Sequence, residues 1–402
     1  MSVRSADMKI LQVHNFYRSH LPSGENQVVV DDRQILEGAG HVVVPLYGRS
    51  DELTGYRQRV AAGLTQIGLA STMEFRQFIG DGDFDVVHVH NLQPMLSPLI
   101  PQICEALGIP CVRTIHNYRI GCIAGTHFRD GAECFKCLDT TLGLPGVRHR
   151  CYRGSLIASI ISTGVRDTRR SAYLAASRLI ALSPYMHDYL VASGVAEDKI
   201  VFRPNPVTFV EPYIPVKDRT GFLFLGRLEA AKGALSLLRS WARLPDDIET
   251  LTIAGSGPEE DAVLSLVSST ARAVFVGQQM PSEVMRLLRS VRALIVPSLW
   301  AEGFPRVIAE AWAAGTPVIV NGTPGLRSLI TPELGWVINV DEPKSLRSAL
   351  RDACNPAEWT SRSTGAFRYA EEWLSPDAGL RSLLDIYRKV SMEASIRAVR
   401  YE

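Results

Sequence analysis

The chain alternates short apolar runs, rich in β-branched residues, with longer stretches whose apolar positions recur at helical spacing. Lys9–His14, His41–Leu46, Phe84–His90, Pro110–His116 and Arg178–Ser183 are runs of the first kind. They hardly alternate between apolar and polar, the pattern of strands covered on both faces in a parallel sheet. Helical stretches such as Glu25–Gly38 and Ser97–Leu107 lie between them, each closing near a glycine able to cap it. Repeated βα units predict an α/β doubly wound layer.

A proline-dense stretch follows, from Arg203-Pro204-Asn205-Pro206 through Pro212 and Pro215. Prolines at that density disfavour helix and central strand alike and predict a linker. Beyond it the pattern starts again, with strands over Gly221–Gly226, Thr250–Gly255, Ala273–Gly277, Ala293–Pro297 and Thr316–Asn321. Helices are expected over Gly233–Arg243, Pro258–Ser268, Pro281–Arg289 and Pro305–Ala314. The expected domains are 1–206 and 207–375, with the terminal helical stretch 376–402 packing back onto the first. Two such layers facing each other would enclose a cleft, the usual place for a ligand.

Composition narrows the function classes. The 402 residues are 46% hydrophobic and 21% charged, enough apolar side chain for two cores and too much for a disordered chain. Lys and Arg number 43 against 42 Asp and Glu, so no global field draws the chain to nucleic acid, and no nucleic-acid partner is expected. The polar start, with Arg4, Asp7 and Lys9, lacks the apolar core of a signal peptide, and no run is long enough to span a bilayer. A cytoplasmic location with reduced thiols is expected.

The candidate chemistry concentrates in the second half. In Pro297-Ser-Leu-Trp-Ala-Glu302-Gly-Phe304-Pro-Arg306-Val307-Ile-Ala-Glu310, Glu302 falls in the loop at a strand's C-terminal end, where open α/β sheets place ligands. Pro305 suits the first helical position, and the amides from Arg306 onward would present the positive helix end to an anion. Glu310, within the helix, is in reach of a sugar or ribose hydroxyl. Two solvated glutamates on a surface helix would show the same spacing. Gly226-Arg227, with Lys232 and Gly233 shortly after, ends another apolar run. A guanidinium fork and an ammonium both suit phosphate oxygens, and the glycines would let backbone approach a ligand. Gly255-Ser-Gly257 adds a third loop on the same edge. It lacks the third glycine of a dinucleotide fingerprint, since position 260 is Glu.

These motifs resemble the retaining glycosyltransferases of the GT-B fold, glycosyltransferase family four. The likeness extends over nearly the whole chain, with N-terminal echoes in Asp85-Val-Val-His88-Val-His90-Asn91 and Thr114-Ile-His116-Asn117-Tyr118. The resemblance implies a nucleotide-sugar donor, UDP- or GDP-linked, a hydroxyl-bearing acceptor, and a reaction that needs neither a cofactor nor a metal. It places Glu302 at the reacting sugar, Glu310 at the ribose, and Arg227 and Lys232 on the donor diphosphate. The segment around Gly226, Phe304, Arg306 and Val307 is expected to hold the donor. The loop Pro22-Ser-Gly24-Glu25 would approach donor or acceptor, and His116 would lie near the sugar's 6-hydroxyl. The family commonly has glycine after Phe304. Pro305 removes one backbone donor there, which bears on sugar choice.

Other signals leave alternatives open. Asp81-Gly-Asp83 matches the Asp-x-Asp string of metal-dependent transferases of another fold, but its glycines favour a turn. Cys122, Cys134, Cys137 and Cys151 contain a Cys-x2-Cys core, compatible with a structural zinc, a disulfide or reduced thiols. Arg148, Arg150, Arg153, Arg166, Arg169 and Arg170 flank the apolar run Leu156–Ile161, opposed only by Asp167. That segment reads either as a core helix with solvated ends or as a peripheral contact with an anionic membrane. A nucleotide-sugar 2-epimerase, an NAD-dependent oxidoreductase and a non-catalytic nucleotide-sugar-binding protein are the competing functions. The second is disfavoured for want of an intact glycine fingerprint.

Overall fold

The computed structural model describes residues 7–17, 23–66, 72–138, 140, 143–207 and 218–401. Pro22, Pro212 and Pro215 of the expected loop and linker lie outside them. Fourteen strands occur in the described residues. The first sheet holds β1 (Lys9–Phe16), β2 (Val42–Arg49), β3 (Val86–Val89) and β4 (Cys111–Ile115). A small antiparallel hairpin, β5 (Phe128–Arg129) and β6 (Ala132–Glu133), stands apart, and β7 (Arg178–Ala181) and β8 (Ile200–Phe202) complete the sheet in the order β2-β1-β3-β4-β7-β8. All its pairings are parallel. The second sheet is also parallel: β9 (Phe222–Leu225), β10 (Leu251–Ala254), β11 (Ala273–Phe275), β12 (Ala293–Val296), β13 (Val318–Asn321) and β14 (Gly335–Ile338), in the order β11-β10-β9-β12-β13-β14. In both sheets the order reverses beside the first strand, which opens a crevice at the strands' C-terminal ends.

The central strands are apolar because helices cover both faces. Every residue of β3, β4 and β12 is buried. The helices start and stop on local chemistry. Ser23 caps Gly24–Gly38, its hydroxyl accepting from the Asn26 amide at 3.3 Å, and Gly108, at φ 70°, closes Ile100–Leu107. Asp83, with φ 48°, sits in the turn after helix Thr72–Asp81, the role its glycine neighbours suggest. The sequence reading omits β8, β14 and the β5–β6 hairpin.

The two layers are tied together by buried polar contacts. Helix Gly24–Gly38 of the first layer supplies Asp31 and Asp32, both fully buried. Asp31 accepts from Arg306 of the second layer, while Asp32 accepts from Arg203 Nη2 of its own layer at 2.6 Å. Helix Pro376–Tyr401 packs on the first layer, where Tyr387 Oη is 2.7 Å from His88 Nδ1 and Glu393 pairs with Arg178 at 2.5 Å. Arg203 also reaches the Gly379 carbonyl at 3.5 Å, so one guanidinium links the end of the first sheet to this returning helix.

The segment between β4 and β7 departs from a core reading. Helix Leu156–Gly164 turns Ser159 and Ser162 inward and leaves Leu156, Ile157, Ile160 and Ile161 exposed. The expectation of a core helix is therefore corrected. Its buried face is made of small hydroxyl side chains that bond to backbone, Ser159 Oγ accepting from the Tyr152 amide and Ser162 Oγ donating to the Ile123 carbonyl.

Candidate active site

The crevices of the two sheets face each other across a cleft of about 1680 Å³. Its walls include Gly24, Glu25, Gly226, Arg227, Lys232, Glu302, Arg306, Val307 and Glu310. These residues are scattered along the chain and meet because each follows the C-terminal end of a strand or lies in the first two turns of the next helix. Phe304 is the exception. It is buried, edge-on to Trp312 at 6.1 Å between centroids, and does not line the cleft, so its expected donor contact is corrected to a packing role.

Glu302 is the centre of the site's electrostatics. Only 5% exposed, it accepts from Lys232 Nζ at 2.6 Å and from Ser298 Oγ at 2.7 Å. Lys232 ends a 3-10 turn over Ala230–Lys232, with its ammonium 5.5 Å from the Trp300 ring. An ammonium carries three donors, so bonding to Glu302 leaves two for a ligand. Arg227 pairs at 3.1 Å with Glu229, a half-exposed contact that an arriving phosphate can replace. Both expected phosphate-binding cations thus have carboxylate partners, and Glu229 and Ser298 are site residues the sequence reading missed.

Helix Arg306–Ala313 opens toward the cleft. Pro305, expected at the first helical position, instead occupies the cap with φ −62° and ψ 125°. Arg306 Nε donates to Glu310 Oε1 at 2.8 Å, while its Nη1 donates to Asp31 of the other layer. Burial raises the Glu310 carboxyl above its usual range, and Arg306 pulls it back. Asp31 is the third missed residue: its only sequence trace is a polar pair, Asp31-Asp32, on the side of a helix otherwise lined by Val28, Val29 and Leu36.

Glycine plays two distinct parts here. A Cβ on Gly255, whose φ is 145°, would stand 1.9 Å from the Gly226 carbonyl oxygen, and one on Gly233 would stand 2.2 Å from that of Pro297. The second position is therefore fixed by packing against the β12 loop, correcting the expectation of ligand approach. A Cβ on Gly226 would meet only Phe224, at 3.7 Å.

His116 lies behind the large cleft. It borders a smaller inner cavity with His90, Asn91 and Arg119, and Glu25 lines both spaces. His116 Nε2 is 3.0 Å from His90 Nδ1, and the two rings stack at 5.3 Å. Burial lowers the His116 pKa to about 4, Asp32 opposing and Arg203 assisting, and burial holds His88 and His90 well below the usual range. The rings are neutral hydrogen-bonding groups at pH 7. Five buried atoms of residues lining this cavity have no partner among the described residues: Glu25 Oε1, His90 Nε2, Gln93 Oε1, Arg113 Nε and Arg119 Nε. Glu25 Oε2 accepts from Tyr17 Oη at 3.1 Å.

No disulfide joins Cys122, Cys134, Cys137 and Cys151 among the described residues, and burial followed by Cys122 pushes the Cys151 thiol up. Among the described residues no group of three or more His, Cys, Asp or Glu side chains is arranged to hold a metal ion. Nor is any described helix long and apolar enough to cross a membrane.

Two parallel Rossmann-like layers, with cations, carboxylates and a helix N-terminus around a shared cleft, define a GT-B architecture. Residues 219–355 match the family model described as glycosyl transferases group 1, and residues 23–206 match the glycosyl transferase 4-like domain. The chain belongs to the glycosyltransferases of family four, and it is a hexosyl-transferring enzyme. It is 27% identical over 353 residues to the phosphatidyl-myo-inositol mannosyltransferase of Mycolicibacterium smegmatis, covering 83% of this chain and 82% of that one. Among solved structures it resembles Anabaena Alr3699/HepE in complex with UDP and glucose, with a TM-score of 0.62, 15% identity, and 95% and 100% of the two chains covered. The lipopolysaccharide outer core galactosyltransferase WaaB gives a TM-score of 0.64 at 17% identity, over the same shares of the two chains.

Proposed function

We propose that this enzyme moves a hexose from a UDP- or GDP-linked donor to a hydroxyl acceptor, with retention at the anomeric carbon and without a metal, in the assembly of a cell-surface polysaccharide or glycolipid. The observation that carries the reading is the Lys232–Glu302 pair at the centre of the cleft, with Arg227 on one side and the start of helix Arg306–Ala313 on the other. A departing nucleoside diphosphate gains negative charge as the anomeric C–O bond breaks. Lys232, Arg227 and the helix end are charges of the required sign, preorganised in a part-buried site, and each can contribute a few kcal/mol toward ~10²–10³-fold in rate.

In this reading the bonding electrons leave with the diphosphate. The acceptor oxygen attacks from the same face, and its proton passes to a leaving phosphate oxygen. Glu302 faces the positive charge developing on the sugar, and Glu310 meets the ribose once it exchanges part of its bond with Arg306. Glu25 Oε1 and His90 Nε2, buried without described partners, suit hydroxyls of the acceptor or the transferred sugar. The Mycolicibacterium relative's name supports a lipid-borne acceptor, and the UDP in the Anabaena complex supports UDP as the base-bearing half.

The test is a proton NMR time course of the purified enzyme in EDTA with UDP-glucose, UDP-N-acetylglucosamine and GDP-mannose. Slow release of an α-configured free sugar from one donor is expected. A C2 epimer as product, or activity that requires added divalent metal, would overturn the proposal.

A further inference from the structure

Helix Leu156–Gly164 is amphipathic in the inverse sense of a soluble surface helix. Ile157 is 72% exposed, with Ile160 and Ile161 three and four positions on, while the serines at 159 and 162 face the protein. Its neighbour, helix Leu144–Arg148, packs against it and adds Leu144, itself 60% exposed. Arg148, which ends that helix, and Arg150 and Arg153 in the connection to the next are also exposed, the last two at positive φ. From residue 129 to 165 the sequence carries five Lys or Arg against three acidic residues, Asp130, Glu133 and Asp139. Exposed apolar side chains and a net excess of cations therefore share this segment.

We infer that this face, from Leu144 to Ile161, docks on an anionic lipid bilayer. An apolar stripe alone would suit many partners, and the arginines beside it select a negatively charged one. Leucine and isoleucine would enter the headgroup boundary while the guanidinium groups remain at the phosphates. The helix is tied to the segment that forms part of the cleft wall. Ser162 Oγ bonds the Ile123 carbonyl at 3.4 Å, and the same segment runs on to Thr126 and Phe128 in the cleft wall. A bilayer at this face would bring lipid-borne hydroxyls to the mouth of the site. That consequence rests on the transferase reading, whereas docking itself does not.

The experiment is co-sedimentation of the full-length protein with phosphatidylcholine vesicles containing about 30 mol% phosphatidylglycerol, against vesicles of phosphatidylcholine alone. Wild type should partition at least ~10-fold more strongly to the anionic vesicles, less so as salt is raised. Ile157→Glu with Ile160→Glu should remove at least ~10-fold of that binding, leaving the melting temperature and donor hydrolysis in solution unchanged. Equal partition to both vesicles, or undiminished binding by the double variant, would overturn the inference. So would failure to bind vesicles combined with a wild-type dimer in sedimentation velocity that the double variant abolishes, which would assign the face to a second copy. Neither donor nor acceptor enters the measurement, so its outcome is independent of the proposed reaction.

Discussion

Lys232 Nζ and Glu302 Oε1 lie 2.6 Å apart, and they come from loops after two adjacent strands of the second sheet, 70 positions apart in sequence. The pair couples the residue expected at the diphosphate to the one expected at the sugar. A nucleoside diphosphate must share the Lys232 ammonium with Glu302. Glu302→Ala should therefore reduce turnover by at least ~100-fold while leaving affinity for UDP or GDP equal or a few-fold higher, since Lys232 is then wholly available. Steady-state rates and calorimetry check the two halves separately. Unchanged turnover would remove Glu302 from the chemistry.

Lys232→Ala and Arg227→Ala should weaken nucleoside diphosphate binding, by about 10–100-fold for Lys232 and less for Arg227. The order follows from burial: the Lys232 side chain is 24% exposed against 36% for Arg227, and a drier charge is less screened. Calorimetry at low and physiological salt would show the Arg227 contribution shrinking more. Equal affinity in all three proteins would take both cations out of the diphosphate site.

Much of this geometry was legible in the sequence, and the exceptions have physical causes. Long apolar runs such as Leu294-Ile-Val and Val86-Val-His-Val announced central strands because burial on both faces leaves no alternation. Strand β8 is three residues long between a 3-10 turn and a proline-rich stretch, too short to show a period. The β5–β6 hairpin did carry a signal, the Asp130-Gly131 turn. Contacts that depend on how the layers dock, such as Asp31 with Arg306 across 275 positions, leave no local trace. The Glu302, Arg227 and Lys232 assignments came from a family pattern, whereas the Ser298 and Glu229 partners required coordinates.

Arg306 joins the layers through Asp31 while holding Glu310. Removing the arginine would leave two carboxylates without it, one of them fully buried, whereas Asp31→Asn leaves Arg306 paired with Glu310. Arg306→Ala should accordingly destabilise by about 3–5 kcal/mol and Asp31→Asn by roughly 1–2. Urea melts rank the two. The reverse order would show that the Asp31 contact, and not the paired helix start, sets the domain arrangement.

Acid should unfold this protein through its neutral histidines. His88, His90 and His116 bind protons in the unfolded chain below about pH 6.5 but resist protonation when folded, His116 down to about 4. The unfolded state thus binds more protons between those values, and the unfolding free energy falls as pH drops from 6.5 toward 4 and levels above 6.5. His116 alone accounts for a loss of about 3 kcal/mol across that window, and His88 and His90 add to it. His116→Gln should flatten the slope. An unchanged slope would mean that other groups, such as His14 or His41, whose pKa values are also lowered by burial, dominate acid sensitivity.

Gly226 and Gly255 separate a ligand requirement from a folding requirement. The loops after β9 and β10 interlock: the Gly226 amide donates to the Ala254 carbonyl at 3.1 Å and the Leu228 amide to that of Ser256 at 2.9 Å. A Cβ at Gly255 cannot fit 1.9 Å from the Gly226 oxygen, and its φ of 145° is itself unfavourable for alanine. Gly255→Ala should lower stability by about 2–4 kcal/mol and displace Arg227 with the loop. Gly226→Ala meets only the Phe224 ring at 3.7 Å and should melt within ~0.5–1 kcal/mol of wild type. If the backbone at Gly226 touches the nucleotide sugar, this stable variant should still lose affinity for the intact donor, a difference calorimetry would read at once. Wild-type affinity in Gly226→Ala would place the ligand farther from β9, toward Lys232 and the helix start at Arg306.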